Sequence, residues 1–159
     1  MQSTTTRSIV YAGLVAATYA VITYALSPIS FGPLQFRVAT MLFPIVLLDK
    51  KMALGIAFGV GLANLFSPFG WYDFLLMPIA AYAIGRMGYA LRASPNMAIV
   101  LMSAGTAVTV AVFPLWMGGG IPVWPTVLLI FVSTIVAELA GWHIIWRRFP
   151  PFFCVDKHD

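Results

Sequence analysis

The chain has 159 residues, of which 61% are apolar and only 9% are charged, and its mean hydropathy is +0.93. A soluble domain carries roughly 25% charged residues, so this composition cannot cover a water-facing surface and excludes a soluble enzyme. The net charge of +4 does not indicate a nucleic-acid partner, because the basic residues lie at the ends of apolar segments, as membrane topology requires. The composition predicts an integral membrane protein.

Apolar runs divide the chain into six predicted transmembrane helices. A helix needs about 20 residues to cross roughly 30 Å of hydrocarbon, and proline, glycine or charged residues interrupt the chain at about that interval. The predicted helices, numbered 1 to 6 in chain order, cover about residues 9–26, 35–48, 52–66, 73–91, 97–117 and 123–146. The predicted fold is therefore a single all-α membrane domain over residues 1–159, a six-helix bundle lying in the lipid bilayer.

The N-terminal segment is polar and contains Arg7, as the start of a signal peptide does. The apolar run that follows is long enough to span a bilayer and lacks a small-x-small cleavage site at its end. We therefore expect helix 1 to belong to the mature protein.

Helices 2 and 3 are predicted to be short, and they leave two architectures open. Each is about 20–23 Å long at a rise of 1.5 Å per residue, so each either is continued by ordered loop or ends at a water-filled cavity. Pro44 is expected to kink helix 2, because proline removes a backbone hydrogen bond. The alternative is a five-helix protein in which these two segments form a re-entrant pair.

The distribution of positive charge predicts the orientation. If the N-terminus is cytoplasmic, eight of the nine Lys and Arg residues fall on the cytoplasmic side, as the positive-inside rule requires for an even number of helices. These residues are Arg7, Lys50, Lys51, Arg86, Arg92, Arg147, Arg148 and Lys157. Only Arg37 lies on the outer side, so both termini are predicted to be cytoplasmic.

Small residues recur at four-residue spacing on helix 1, at Ala12, Ala16 and Ala20. Such a ladder lets another helix approach closely, which is how helices associate in lipid. The spacing alone leaves two interpretations open. The ladder either packs inside the bundle or docks a separate membrane partner.

Two ionisable residues occupy unusual positions. Glu138 is the only acid well inside an apolar helix, where a carboxylate costs several kcal/mol unless it is paired, protonated or facing water. It either contacts a ligand or braces the bundle, and its depth of about 22 Å along helix 6, past the midplane, argues against ligand contact. Arg37 either snorkels to lipid headgroups or, together with Gln35, lines an outward-facing pocket or braces an acidic partner such as Asp73.

Polar and aromatic residues also cluster around the predicted turn between helices 3 and 4. Asp73 either stabilises the start of helix 4 or binds a ligand, and Asn64 needs a hydrogen-bond partner within the apolar helix 3. The aromatic side chains of Trp71, Tyr72 and Trp116 either stack on a flat ligand or form the interfacial aromatic belt.

Signatures of enzymes are missing from the sequence. It contains no Gly-x-Ser-x-Gly, His-Glu-x-x-His or Cys-x-x-Cys motif and no Walker-type phosphate loop. An intramembrane enzyme would need a nucleophile and a base at the same depth, and no convincing pair is present. We therefore predict a protein that is not an enzyme and that holds no metal or cofactor.

Two longer stretches carry a family resemblance. Residues 30–38 read Ser-Phe-Gly-Pro-Leu-Gln-Phe-Arg-Val, and residues 63–73 read Ala-Asn-Leu-Phe-Ser-Pro-Phe-Gly-Trp-Tyr-Asp. In this order and spacing they resemble the QueT-type (queuosine precursor) transporter family, whose members are the substrate-binding S components of energy-coupling factor (ECF) importers. The similarity runs from helix 1 to the Ala-Glu-Leu segment of helix 6.

The resemblance implies a six-helix protein of a prokaryotic cell membrane that captures a small vitamin-like solute from outside. Such proteins dock on an ECF module of one transmembrane T subunit and two cytoplasmic ATPases, with helix 1 as the docking face. The resemblance therefore implies that this chain docks through Ala12, Ala16 and Ala20. The expected substrate-binding residues are Gln35, Arg37, Asn64, Trp71, Tyr72, Asp73, Trp116 and Glu138.

The sequence departs from the family pattern after its Gln-Phe-Arg element. Family members carry Ser-Glu soon after it, whereas here Val38 is followed by Ala39 and Thr40. Either the substrate is a related heterocycle, or Glu138 and Asp73 replace the missing carboxylate. The alternative function is a stand-alone secondary transporter that uses Glu138 as its proton site.

Overall fold

The computed structural model describes residues 2–30, 38–65, 67, 70–116 and 123–148, and within these it leaves out the side chains of residues 2–5, 29, 72, 113–116, 123 and 146. The described ranges contain six helices of ten or more residues, three shorter helical turns and no strand. Helix 1 is Gln2–Ala25, helix 2 is Val38–Leu47, helix 3 is Met52–Asn64, helix 4 is Trp71–Ala90, helix 5 is Pro95–Trp116 and helix 6 is Val123–Ala140. This confirms the predicted all-α membrane fold.

The clearest differences from the predicted helix ends are in helices 1 and 6. Helix 1 begins at Gln2, seven residues earlier than predicted, because no proline or glycine interrupts the polar segment before its apolar run. Helix 6 continues beyond Ala140 as one turn of π-helix, Gly141–Ile145, and one turn of 3-10 helix. A short helical turn, Ser27–Ser30, follows helix 1.

Helix 2 lies at the centre of the bundle, between helices 1, 3, 4 and 6. It is a 3-10 helix with Pro44 inside it. Proline cannot donate a backbone hydrogen bond and its ring clashes with the preceding turn of an α-helix. The prediction was a kink at Pro44, and the structure instead has 3-10 geometry over the whole segment. Eight of its ten residues are buried, including Ile45 and Val46, which have no exposed surface.

The outer surface of the bundle is apolar. Large hydrophobic side chains point away from the core on helices 1, 3, 4, 5 and 6, with Phe58 68%, Ile79 66% and Leu128 62% exposed. Three helical segments are long and apolar enough to cross a membrane, Thr6–Ala25, Pro95–Val112 and Trp124–Ile145. Apolar patches of this extent are unfavourable in water and are the expected surface of a protein in lipid.

Helices 1 and 3 pack with almost no space between their backbones. A Cβ atom added to Gly55 would lie 2.6 Å from the carbonyl oxygen of Ala12, and one added to Gly59 would lie 3.0 Å from that of Ala16. Because contacts advance by four residues in the same direction on both helices, helices 1 and 3 run parallel. Helix 2 therefore returns across the bundle between them, as alternate membrane crossings require.

A methyl group at Gly55 is expected to destabilise the protein. In Gly55→Ala the added carbon meets the backbone of helix 1, and such overpacking costs about 1–3 kcal/mol. We expect a lower midpoint of thermal unfolding for the purified protein in detergent. Gly13→Ala is the matched control, because a Cβ there meets nothing within 4 Å. Equal midpoints for the two variants would contradict the close packing of helices 1 and 3.

Candidate solute-binding site

The turn between helices 3 and 4 brings together two buried polar residues, Asn64 and Asp73, which are 2% and 3% exposed. The Ser67 hydroxyl donates to Asp73 Oδ2 at 2.6 Å, and Asn64 Nδ2 donates to the backbone carbonyl of Asp73 at 3.4 Å. Gly70, with φ of 77°, permits the left-handed backbone that this turn needs. These contacts hold the side chains of Asn64 and Asp73 at one end of the bundle.

The carboxylate of Asp73 therefore has a local structural role. Gly70 is the residue at the N-cap of helix 4, and Asp73 lies in the first turn, where negative charge interacts favourably with the helix dipole. Asp73 Oδ2 accepts a hydrogen bond from the preceding turn. A ligand that bound this carboxylate would use the second oxygen, Oδ1, or compete with Ser67.

A small cavity lies one helical turn deeper in the bundle. It encloses about 20 Å³ and is lined by Tyr19, Phe43, Val60, Met77, Ala80, Ala81, Ile84, Thr106, Thr109 and Val110. Val60 precedes Asn64 by four residues and Met77 follows Asp73 by four, so on both helices the cavity lies directly below the polar turn. The rings of Tyr19 and Phe43 pack at 6.2 Å between centroids with a 56° tilt.

Glu138 lies deeper still, beyond the cavity. Its carboxyl group has no exposed surface, and Oε2 accepts a hydrogen bond from Ser103 Oγ at 3.1 Å. Ser103 precedes Thr106, a cavity residue, by one turn of helix 5. Among the described residues, neither Glu138 Oε1 nor Thr106 Oγ1 has a hydrogen-bond partner. One buried oxygen with free acceptor capacity thus lies in the cavity wall, at Thr106, and a second lies about one turn deeper, at Glu138.

The polar groups consequently form a series that runs from the turn between helices 3 and 4 towards the interior. Asn64 and Asp73 stand at the start, Thr106 lies at the far side of the cavity, and Glu138 is one turn beyond. Ser103 lies about 12 Å along helix 5 and Glu138 about 22 Å along helix 6, depths that match for two antiparallel helices. Such an arrangement can hydrogen-bond a polar solute entering from that end.

The other predicted binding residues are placed differently. Trp71 is 61% exposed, a position that favours the interfacial belt over a stacking wall. Gln35 and Arg37 lie outside the described residues, as do the side chains of Tyr72 and Trp116.

Ser103 and Thr106 were not among the residues predicted for the site. Both are buried, at 0% and 6% exposure, within an otherwise apolar helix 5. Their spacing of three residues places the two hydroxyls on one face of the helix. That spacing is the signal that could have identified them, but nothing in the local sequence indicates that this face meets Glu138.

The alanine ladder of helix 1 contacts helix 3. Ala16 and Ala20 are buried, and the backbone of Ala16 lies against Gly59. Beside this contact an outward-facing groove of about 380 Å³ is lined by Ser8, Ile9, Ala12, Gly13, Ala16, Lys51, Leu54, Gly55 and Phe58. The ladder thus packs internally, and its edge at Ala12 and Gly13 also borders an open groove.

The fold and the buried polar series define a multi-pass α-helical membrane protein with a candidate site for a small polar solute. The family described as QueT transporter matches residues 9–147, and the chain belongs to this family. The predicted family resemblance is thereby confirmed.

The chain is also similar in sequence to a bacterial protein. The chain is 33% identical over 93 residues to a Lactococcus lactis subsp. cremoris (strain MG1363) protein named Queuosine precursor transporter QueT. The aligned stretch covers 57% of this chain and 54% of that protein, so it spans about half the length of the relative. No solved structure matches the chain.

Removal of the Asp73 carboxylate is expected to destabilise the turn between helices 3 and 4. Asp73→Ala loses both the hydrogen bond from Ser67 and the charge in the first turn of helix 4, a loss of about 1–2 kcal/mol. Asp73→Asn keeps an acceptor for Ser67 and should unfold at a temperature closer to that of the unsubstituted protein. Thermal unfolding in detergent measures the difference, and identical midpoints for both variants would show that the hydrogen bond contributes nothing.

Proposed function

We propose that the chain is the substrate-binding S component of an ECF-type importer and that it captures a queuosine precursor, a deazaguanine, or a similar flat vitamin-like micronutrient. The observation that supports this most is the series of buried polar groups from Asn64 and Asp73 through Thr106 to Glu138, in a chain of the QueT transporter family. The name of the Lactococcus lactis relative points to the same class of solute.

The chemistry of a deazaguanine fits these side chains. Its ring offers several N–H donors and a carbonyl acceptor, while a carboxylate provides acceptors and a carboxamide provides both kinds of group. In this proposal Asp73 and Glu138 accept hydrogen bonds from the solute, and the carboxamide of Asn64 donates or accepts one. Gln35 and Arg37 add polar contacts, and Tyr72 and Trp116 provide stacking walls, whereas Trp71 belongs to the interfacial belt.

Binding also requires the bundle to open. A cavity of about 20 Å³ has room for roughly one water molecule, and a two-ring heterocycle is several times larger. The solute therefore either separates some of the helices around the cavity, which are helices 1 to 5, or binds partly against residues outside the described ranges. Opening and closing of this kind matches a protein that captures its cargo before it is transported.

The orientation in this proposal follows the positive-inside rule. Both termini lie in the cytoplasm of a prokaryotic cell, so the turn between helices 3 and 4 faces outside. Solute from the medium then meets Asn64 and Asp73 first. Glu138, at the deep end of the series, lies on the cytoplasmic side of the midplane.

Transport energy in this proposal comes from partner subunits, since the sequence contains no phosphate-binding loop. The chain docks on an ECF module, one transmembrane T subunit and two ATPases, through Ala12, Ala16 and Ala20. The groove beside this ladder supports the proposal, because Ala12 and Gly13 present small side chains at its wall and Leu54 and Phe58 offer apolar surface. A helix of the partner can approach closely along such a surface.

A second candidate function is a stand-alone secondary transporter in which Glu138 exchanges protons. The complete burial of its carboxyl group favours this reading. Vesicles that contain the chain without any ATPase distinguish the two. Uptake driven by a proton gradient and abolished in Glu138→Gln would support the secondary transporter.

The ligand class is tested by binding to the purified protein. We expect 7-deazaguanine derivatives to raise the midpoint of thermal unfolding and to give a saturable signal in titration calorimetry. Asn64→Ala should weaken binding about 5- to 150-fold, since leaving a buried hydrogen-bonding group without its partner costs about 1–3 kcal/mol. Asn96→Ala, at an exposed position at the start of helix 5, is the matched control. Absence of any shift with deazapurines would contradict the proposed substrate.

The docking surface is tested at Gly13, which is exposed and where an added Cβ meets nothing within 4 Å. Gly13→Leu should therefore keep ligand affinity and thermal stability but block a partner helix from the groove. We expect at least about 10-fold less co-purification with the ECF module. Ala83→Leu, which places a leucine at an exposed position of helix 4, should leave the complex intact. Undiminished assembly of Gly13→Leu would contradict docking through this groove.

A further inference from the structure

A second groove, the helix 3–4 groove, opens on the outer surface of the bundle. It has a volume of about 570 Å³ and is lined by apolar and aromatic residues, among them Ala57 and Gly61 on helix 3 and Pro78 and Ile79 on helix 4. Ala57 and Gly61 are buried and form its floor. Because Gly61 has no side chain, Pro78 packs directly on it, and an added Cβ atom would lie 3.2 Å from Pro78 Cγ. The result is a narrow apolar channel between two helices.

The length of this groove matches the depth of one lipid leaflet. It runs from Leu54 to Leu62 on helix 3 and from Tyr82 to Phe74 on helix 4, which is about 12 Å at a rise of 1.5 Å per residue. One leaflet contributes about 15 Å to the hydrocarbon core of a bilayer. A single acyl chain that lies along helices 3 and 4 therefore fits the groove.

Arg86 stands at one end of the helix 3–4 groove. It follows the lining residue Tyr82 by four positions, on the same face of helix 4, and its side chain is exposed. A Cβ atom added to Gly85 would lie 3.1 Å from the Cβ of Ala53. This contact places Arg86 level with the start of helix 3.

Two lysines lie at that level on the neighbouring helix. Lys50 and Lys51 occupy the turn immediately before helix 3, and Lys50 is exposed. Asp49 lies beside them, and its Oδ1 accepts a hydrogen bond from the backbone amide of Lys51 at 2.8 Å. The other two acidic residues in the described ranges lie elsewhere, Asp73 at the opposite end of helix 4 and Glu138 inside helix 6. Positive charge is therefore in excess at this end of the groove.

We propose that the helix 3–4 groove binds one anionic phospholipid from the leaflet at the basic end of the bundle. An acyl chain lies between helices 3 and 4, and the phosphate meets Arg86, Lys50 and Lys51. Anionic headgroups are attracted to basic residues at the ends of membrane helices in this way. This inference goes beyond the proposed function and does not rest on the solute or on the ECF module.

The shape of the groove favours an acyl chain over a helix of a partner protein. A helix with its side chains is about 10–12 Å wide, and its close approach needs small residues along the contact. In the helix 3–4 groove the walls carry Phe58, Phe74 and Ile79, and the small residues lie on the floor. The groove beside the alanine ladder instead has Ala12 and Gly13 at its wall.

Lipid titration of the purified full chain tests the assignment. The probes are phosphatidylglycerol and phosphatidylcholine with identical acyl chains, and glycerol phosphate, which carries the anionic group without an acyl chain. Native mass spectrometry of the chain in detergent, freed of co-purified lipid, gives the dissociation constant of each probe. We expect phosphatidylglycerol to bind at least about 10-fold more tightly than either of the other two.

A charge variant tests the headgroup contact. Lys50→Gln combined with Arg86→Gln should weaken binding of phosphatidylglycerol about 25-fold, since each cation near the headgroup contributes about 5-fold, and should leave phosphatidylcholine unchanged. Arg147→Gln combined with Arg148→Gln is the matched control. It removes the same charge at exposed positions after helix 6 and should change neither affinity.

A second variant tests the groove itself. Ala57→Phe places a ring on its floor and should weaken the binding of both phospholipids at least about 10-fold. Ala83→Phe, at an exposed position of helix 4 outside the groove, is the matched control. If Ala57→Phe does not fold, the charge variant and the comparison of the three probes decide the question.

Four results would overturn the proposal. They are equal affinities for the two phospholipids, an unchanged affinity for phosphatidylglycerol in the charge variant, and binding of glycerol phosphate as tight as that of phosphatidylglycerol. The fourth is loss of the ECF module from Ala57→Phe with lipid affinities unchanged, which would assign the groove to a partner helix.

Discussion

Hydrocarbon offers no hydrogen-bond partners, and this constraint governs the whole structure. Every backbone polar group inside the membrane must be satisfied within the bundle, which is why the described chain is helical almost throughout. Helix 2 departs from regular α-helical geometry, because Pro44 disrupts α-helical hydrogen bonding. The chain forms a 3-10 helix there and places it at the centre, surrounded by four other helices. The same constraint makes each buried polar side chain costly unless it is hydrogen-bonded, and the proposed function depends on three of these residues, Asn64, Asp73 and Glu138.

Much of the fold could be predicted from the sequence, because helix ends in a membrane protein are marked locally. Proline, glycine and charged residues placed the six helices within a few residues, except at the start of helix 1. The burial of Glu138 also followed from its position in an apolar run. The 3-10 geometry of helix 2 did not, because the pattern of apolar residues indicates burial and does not distinguish two kinds of tightly packed helix.

The pairings between distant segments could not be predicted. The alanine ladder of helix 1 showed that some helix would approach closely, but only the structure identifies Gly55 and Gly59 on helix 3 as its neighbours. The hydrogen bond between Ser103 and Glu138 joins residues 35 positions apart, and no local signal specifies it. Helices 1 and 3 therefore contribute residues both to the cavity inside the bundle and to the groove on its outer surface. Tyr19 and Val60 line the inner cavity, while Gly13 and Phe58 line the outer groove, and the close backbone packing ties these surfaces together.

The central claim is that this chain captures a solute from outside and leaves the driving force to its partners. Uptake of a radiolabelled deazaguanine by cells that express the chain with an ECF module tests it most directly. In a matched strain the phosphate-loop lysines of both ATPases are replaced. The account predicts that accumulation stops in that strain while its membranes still bind the label. Continued accumulation without working ATPases, collapsing only when the proton gradient is removed, would contradict it.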